Sequence, residues 1–232
     1  MTQTDMMTFE DRRAAGRMLA EHLRAYAGTD TVVLGITRGG VVVAHEVGRR
    51  LHLPLDALVV QRIAEPGERH LGLGAIAEQG HLVVSWRRLR ALALSATWLR
   101  HAVAESIRDV RQREAALRGA RQRQEIAGRR VIVVDDSAAT GATLRTAVKA
   151  VRALGAWEIV VAVPVAPPHV LDRLRGQVDH LICPAMPAAL IVQGIHYPAP
   201  LALSDDEIRI LLEQGSETPG EPPGSLHDQT PR

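Results

Sequence analysis

The chain has 232 residues but a single cysteine, Cys183, and a single lysine, Lys149. One cysteine excludes an intrachain disulfide and fits a reducing compartment. Aromatics make up 3% of the residues, and Trp86, Trp98 and Trp157 stand far apart, so core or subunit packing accounts for them more simply than a stacking platform. No apolar run approaches the roughly 20 residues that span a bilayer. Residues 1–10 are polar and do not read as a signal peptide. The ten histidines have no compact metal-ligand spacing, so a zinc site is not expected. A net charge of +2 carries no strong field for nucleic acid or membrane. These absences leave a soluble, cytoplasmic globular protein as the expectation.

What is present alternates between strand and helix signals. Residues 9–27 carry helical periodicity, with Ala15, Leu19, Leu23 and Tyr26 on one face. A short buried strand at 32–34 ends in Thr37-Arg38-Gly39-Gly40, a helix follows over 41–51, and a second buried strand at 55–60 closes at Gln61-Arg62. Residues 63–73 read as a Gly/Pro/charge-rich loop, the best candidate for a mobile segment. Residues 75–85 read as a small hairpin around Gln79-Gly80, and Ser95 as the N-cap of a long helix over 96–118. Further strands are expected at 131–134, 159–165 and 178–182, with helices at 142–154 and 170–174. The last helix starts at Ser204, with Glu207 completing a capping box. Residues 214–232, rich in Gly, Pro, Glu and Ser, are expected to be a disordered tail. The pattern predicts an α/β fold with a mainly parallel, twisted sheet flanked by helices. Ligands of such sheets gather at the carboxyl ends of the strands, where the loops 37–40, 62–73 and 135–143 fall.

The segment 131–143 carries most of the chemistry. Four β-branched residues run into Asp135 and Asp136, then into Ser137, Ala138, Ala139, Thr140, Gly141, Ala142 and Thr143 at the start of a helix. If the strand geometry persists, the two carboxylates point to opposite sides. Carboxylates suit ribose hydroxyls and also a magnesium ion. The loop offers backbone N–H groups with little side-chain obstruction, and the helix behind adds its positive end, a nest for a phosphate. An Asp-Asp pair alone is more often a surface acid followed by a helix cap. Joined to Thr-Gly-x-Thr at this spacing, it is much more specific.

The segment resembles the phosphoribosyl-pyrophosphate (PRPP) motif of type I phosphoribosyltransferases. Residues 31–62, 9–23 and 162–168 are also similar to a bacterial group of phosphoribosyltransferase-like proteins, so the resemblance covers roughly 9–210. It implies one domain over 1–213, with a helical insert at 86–128, a small hood at 184–203 and a flexible lid loop after Arg62. Asp135 and Asp136 would hold the ribose hydroxyls, directly or through Mg2+. Residues 137–143 would cradle the 5-phosphate. Thr37, Arg38, Gly39 and Gly40 would form the pyrophosphate loop, which in this family often carries a cis peptide, and Arg62 would also reach pyrophosphate. Asp135, Asp136 and Arg38 are the expected catalytic residues. Tyr197 and His196 are the expected cover for the acceptor, with Tyr197 equally readable as a packed core residue, and a homodimer is the expected assembly.

Three departures from the family pattern bear on the chemistry. Ala139 stands where enzymes acting on 6-oxopurines carry Asp, which argues against hypoxanthine and guanine. Gln61 replaces a basic residue of the related group, and Arg62 keeps the charge at the lysine position with a different reach. The hood is poor in aromatics. The resemblance implies magnesium-dependent transfer of a phosphoribosyl group from PRPP to a nucleobase-like acceptor. The alternatives are phosphorolysis of nucleoside monophosphates at the same site, or a PRPP- or nucleotide-sensing regulator without turnover. Other motifs carry less. Gly72-Leu73-Gly74-Ala75-Ile76-Ala77 fits a loose dinucleotide fingerprint but follows a charged loop rather than a strand. The Arg-rich stretch 108–130 is interspersed with Glu105, Asp109 and Glu114 and reads as a solvated helix face rather than a nucleic-acid surface. Cys183 reads as a buried spectator.

Overall fold

The computed structural model describes residues 9–66, 68–119, 121–188, 190, 197 and 203–216. Its main sheet has strands β1 (Thr31–Ile36), β2 (Leu55–Leu58), β6 (Arg130–Val134), β7 (Glu158–Ala162) and β8 (His180–Ile182) in the order β2-β1-β6-β7-β8, all parallel. A second, antiparallel sheet holds β3 (Val60–Glu65), β4 (Glu68–Ala77) and β5 (Leu82–Val84). Helices are α1 (Arg12–His22), α2 (Gly39–Leu51), α3 (Trp86–Ala91), α4 (Ala96–Arg118), α5 (Ala142–Ala153), α6 (Pro168–Arg175) and α7 (Asp205–Ser216). Among the described residues, no helix is long and apolar enough to cross a membrane.

Parallel strands covered on both faces read as continuous apolar runs, which is why Val131-Ile132-Val133-Val134 shows no alternation. Burial still alternates in partner. Val33, Ile132, Val134 and Val160 pack on the face covered by α1, α2, α4 and α7. Val32, Val131, Val133, Ile159 and Val161 pack on the face covered by α5 and α6. That is the period of two expected of a strand.

The run 55–60 is not one strand. β2 ends at Leu58, and Val60 opens the antiparallel sheet, with Val59 accepting the Glu78 N–H at 3.0 Å between them. The apolar run continues through this switch, so periodicity carries no mark of it. The segment 63–73, expected as an irregular loop, is instead largely paired. β3 and β4 are in antiparallel register, with shifts on either side of Ala64. The strands hold because Ile63 and Leu73 are buried against Leu89, beside Trp98, Leu99 and Val103.

The helix ends follow their chemistry. Ser95 Oγ accepts the Trp98 N–H at 3.1 Å. At α7, Glu207 Oε2 accepts the Ser204 N–H at 2.7 Å, and the Ser204 hydroxyl accepts the Glu207 N–H at 3.2 Å, so the capping box is formed. Helix α7 runs to Ser216, so 214–216 are helical rather than part of a tail, while 217–232 lie outside the described residues. Most of the expected hood at 184–203 also lies outside them.

The Arg-rich stretch is solvated at Arg108 and Arg111, as read, but its end departs from that reading. Arg118, Arg121 and Arg123 turn inward onto two carboxylates that are each 1% exposed, Asp56 and Glu78. Asp56 also accepts the backbone N–H groups of Ala57 and Gln124. Burial pushes Glu78 from about 4.5 up to about 7, against the pull of Arg123 and Arg118. A carboxyl with a raised folded pKa is favoured protonated. Its contribution is therefore fully present below pH 4.5 and is lost as pH rises to 7. Thermal unfolding should show stability falling by on the order of 2 kcal/mol across this window. Glu78→Gln should flatten that slope, and an unchanged slope would refute the assignment to Glu78.

Candidate functional site

Two helices begin where the central strands end. After β1, the Thr37–Arg38 peptide is cis and α2 starts at Gly39. After β6 come Asp135, Asp136 and the loop to Gly141, which caps α5 with φ +70°. A methyl group on Gly141 would lie 2.9 Å from Val170 Cγ1, so this position needs glycine for both conformation and space. Neither helix has a side-chain cap or an acid in its first turn. The α5 positive end is thus open to an anion, while the α2 end already has the Asp136 carboxylate beside it. Among the described residues, the N–H groups of Ala139, Thr140 and Gly141 meet no protein acceptor. The Ala138 N–H, expected for phosphate, is engaged by Val165 O at 3.1 Å.

The two loops touch. A methyl on Gly40 would come 2.6 Å from Val134 O and 2.9 Å from Asp135 Cα, and one on Gly39 would meet the Asp136 carboxylate at 2.1 Å. Both carboxylates thus lie beside the α2 N-terminus. They were expected on opposite sides, but the strand ends at Val134 and the alternation stops with it. Asp135 is buried, and its Oδ1 accepts the Asp136 N–H at 2.9 Å. Burial raises its pKa well above the ordinary range, and the Asp136 charge adds to this, while Arg62 opposes it. Exposed Arg62 on β3 is thus close enough to favour the charged form of Asp135.

Other expected site residues are placed less simply. Among the described residues, Thr37 Oγ1 is buried without a hydrogen-bond partner. The Arg38 guanidinium turns to α7, 3.3 Å from Asp205 Oδ1, and donates to Leu203 O at 3.3 Å. Tyr197 is 4% exposed, donates its hydroxyl to Asp136 O at 2.8 Å and stacks on Phe9. Burial, with the Asp136 charge, raises its pKa. A ring so covered, packed with Phe9 and Ala15, fits its reading as a core residue beside the acid loop. His196 lies outside the described residues. Cys183 donates to Ala185 O, and burial pushes its thiol up to about 11, in keeping with a spectator.

One site residue escaped the sequence reading. Arg12, the first residue of α1, places Nε 2.8 Å from Asp136 Oδ2, and its guanidinium lies 4.5 Å from the Tyr197 ring centre. Similarity of 9–23 to the related group was the only signal for it. Among the described residues, no cluster of three or more His, Cys, Asp or Glu is positioned to hold a metal. Two carboxylates, one already paired with Arg12, fit a magnesium ion that takes most of its oxygens from ligand and water.

The chain matches the phosphoribosyl transferase domain model over residues 9–200. It is 38% identical over 209 residues to two provisionally named phosphoribosyl transferases of Mycobacterium tuberculosis, strains CDC 1551 and H37Rv, covering 90% of this chain and 47% of theirs. The chain thus spans about half the length of these curated relatives. The crystal structure of TT1426 from Thermus thermophilus superposes with a TM-score of 0.73 at 36% identity, covering 90% of this chain and 100% of that one. The shared motif, the parallel sheet and the extent of the match agree: this chain belongs to the phosphoribosyl transferase domain family.

Proposed function

We propose that this domain binds PRPP and transfers its phosphoribosyl group to a nucleobase-like acceptor, releasing pyrophosphate. The observation that supports this most is the contact of Gly39 and Gly40 with Asp135 and Asp136, which brings two uncapped helix N-termini to one acid pair. A sugar bearing a phosphate at one end and pyrophosphate at the other matches that order of charges. The α5 N-terminus and the N–H groups of Ala139, Thr140 and Gly141 bind the 5-phosphate. Asp136 and Asp135 orient the ribose hydroxyls. The Thr37–Gly40 loop and Arg62 receive pyrophosphate as the bond to ribose C1 breaks and the bond to the acceptor nitrogen forms. Asp135 and Asp136 would hold magnesium, directly or through ribose hydroxyls and water, and when bound it would supply positive charge for the pyrophosphate. Ala139 leaves no acid at the base-contacting position of the motif, so no general base is assigned.

The test is pyrophosphate formation from PRPP with a panel of bases. Asp136→Ala should reduce it by about 100-fold or more. Folded wild-type protein that forms none with any base would refute transfer. Gln61 accepts from Arg113 at 3.2 Å rather than presenting a charge, which favours phosphorolysis as the second reading. Ribose 1,5-bisphosphate formed from a nucleoside monophosphate and phosphate identifies that reaction. The inward turn of Arg118, Arg121 and Arg123 weighs against a nucleic-acid-binding regulator.

A further inference from the structure

The end of α1 places a fixed cation inside the site. Arg12 Nε lies 2.8 Å from Asp136 Oδ2, and it is 3.1 Å from where a methyl on Gly39 would stand. The guanidinium therefore sits at the junction between the acid that faces the sugar hydroxyls and the loop that faces pyrophosphate. It does not reach there by chance of rotamer. Asp11 Oδ1 caps α1 by accepting the Ala14 N–H at 2.6 Å, which fixes where Arg12 starts. The Tyr197 ring lies under the guanidinium, and the Tyr197 hydroxyl holds the carbonyl of the same Asp136. Side chains from near the two ends of the domain thus fasten one carboxylate in one orientation. Both partners are about one-sixth exposed, so solvent screens the pair less than it would a surface pair.

We propose that Arg12 is a positioning residue that serves as a built-in cation at Asp136, taking over part of the neutralising role of a divalent ion between the sugar hydroxyls and the pyrophosphate. The proposal rests on the PRPP reading above. It follows that PRPP binding by this chain depends weakly on magnesium, and that Arg12 competes with metal for Asp136. Removing the guanidinium makes the site a better metal site and a poorer metal-free one. Restoring a positive charge with lysine returns much of the metal-free binding, because charge rather than shape carries the effect.

The experiment is calorimetry on the full chain with two probes, PRPP and magnesium ion alone, for wild type, Arg12→Gln and Arg12→Lys, with folding checked by circular dichroism. Wild type should bind PRPP in EDTA within about tenfold of its affinity in excess magnesium. Arg12→Gln should lose about 100-fold in EDTA yet stay within about threefold of wild type in magnesium, and should bind magnesium alone about tenfold more tightly. Arg12→Lys should fall between the two. Loss of wild-type PRPP binding in EDTA alone overturns the proposal without needing a variant. So does equal weakening of Arg12→Gln in both conditions, or an unchanged magnesium affinity in that variant. Wild type that binds no PRPP in either condition sinks the PRPP reading instead, and magnesium affinity alone then decides whether Arg12 competes at Asp136.

Discussion

Arg118→Met should lower the unfolding free energy by about 3–5 kcal/mol, the range seen when one partner of a buried ion pair is removed. For a domain of this size that corresponds to a fall in Tm of about 10 °C. Arg118 reaches Asp56 and Glu78, both 1% exposed, and also donates to the Ala57 carbonyl at 3.2 Å. Methionine fills much of the volume and supplies no donor, so two buried carboxylates lose a cation at once. Arg121 and Arg123 remain on Asp56 and Glu78 respectively, which limits the loss. The penalty should be smaller at pH 5.5 than at pH 8, because burial holds Glu78 near 7 and a lost cation lets it stay protonated at the lower pH. Adding Glu78→Gln to Arg118→Met should recover part of the stability at pH 8. Urea unfolding of both variants at the two pH values checks this. A loss below about 1 kcal/mol at pH 8 would place Arg118 among ordinary surface pairs and defeat the prediction.

The parts of the fold that were legible in the sequence are those governed by local chemistry. The run Val131-Ile132-Val133-Val134, the Ser95 cap and the Ser204–Glu207 box each act within a few residues, and each is present. The acid pair and its loop were legible because strand, charge, glycine and helix follow in one continuous segment. What was hidden depends on distance along the chain. Arg12 and Asp136 are 124 residues apart, and Tyr197 is 61 residues from the carbonyl it holds. An arginine at a helix start carries no mark of such a partner. The same holds for Arg118, which on periodicity belongs to a charged face and in the fold reaches carboxylates 62 and 40 residues upstream. The segment 63–73 misled for another reason. Its glycines, proline and charges dominate the composition, while the two residues that make it strand, Ile63 and Leu73, are buried by α3 and α4.

Gly40→Ala should be among the most damaging single substitutions in the domain, although it adds only one methyl group. That methyl would stand 2.6 Å from Val134 O, 2.9 Å from Asp135 Cα and 3.3 Å from Asp135 Oδ1. The first two are backbone atoms at the end of the central strand, where β6 pairs with β1 on one side and β7 on the other. Neither can turn aside as a side chain would. Helix α2 must move instead, and Val41, Val43, Ala44 and Val47 behind it are fully buried. Overpacking that forces the backbone to shift costs about 1–3 kcal/mol and occasionally more. A functional loss should accompany the stability loss, since the shift separates the pyrophosphate loop from the acid pair, and a displacement near 1 Å at such a site costs about 100-fold. Gly39→Ala makes the contrast. Its methyl would meet the Asp136 carboxylate, the end of a side chain that can rotate away. That variant should lose little stability yet release Asp136 from Arg12 and weaken PRPP binding. Denaturation midpoints and PRPP calorimetry on the two variants separate the effects. If Gly40→Ala unfolds and binds like wild type, the packing of α2 against the end of β6 does not hold the site together.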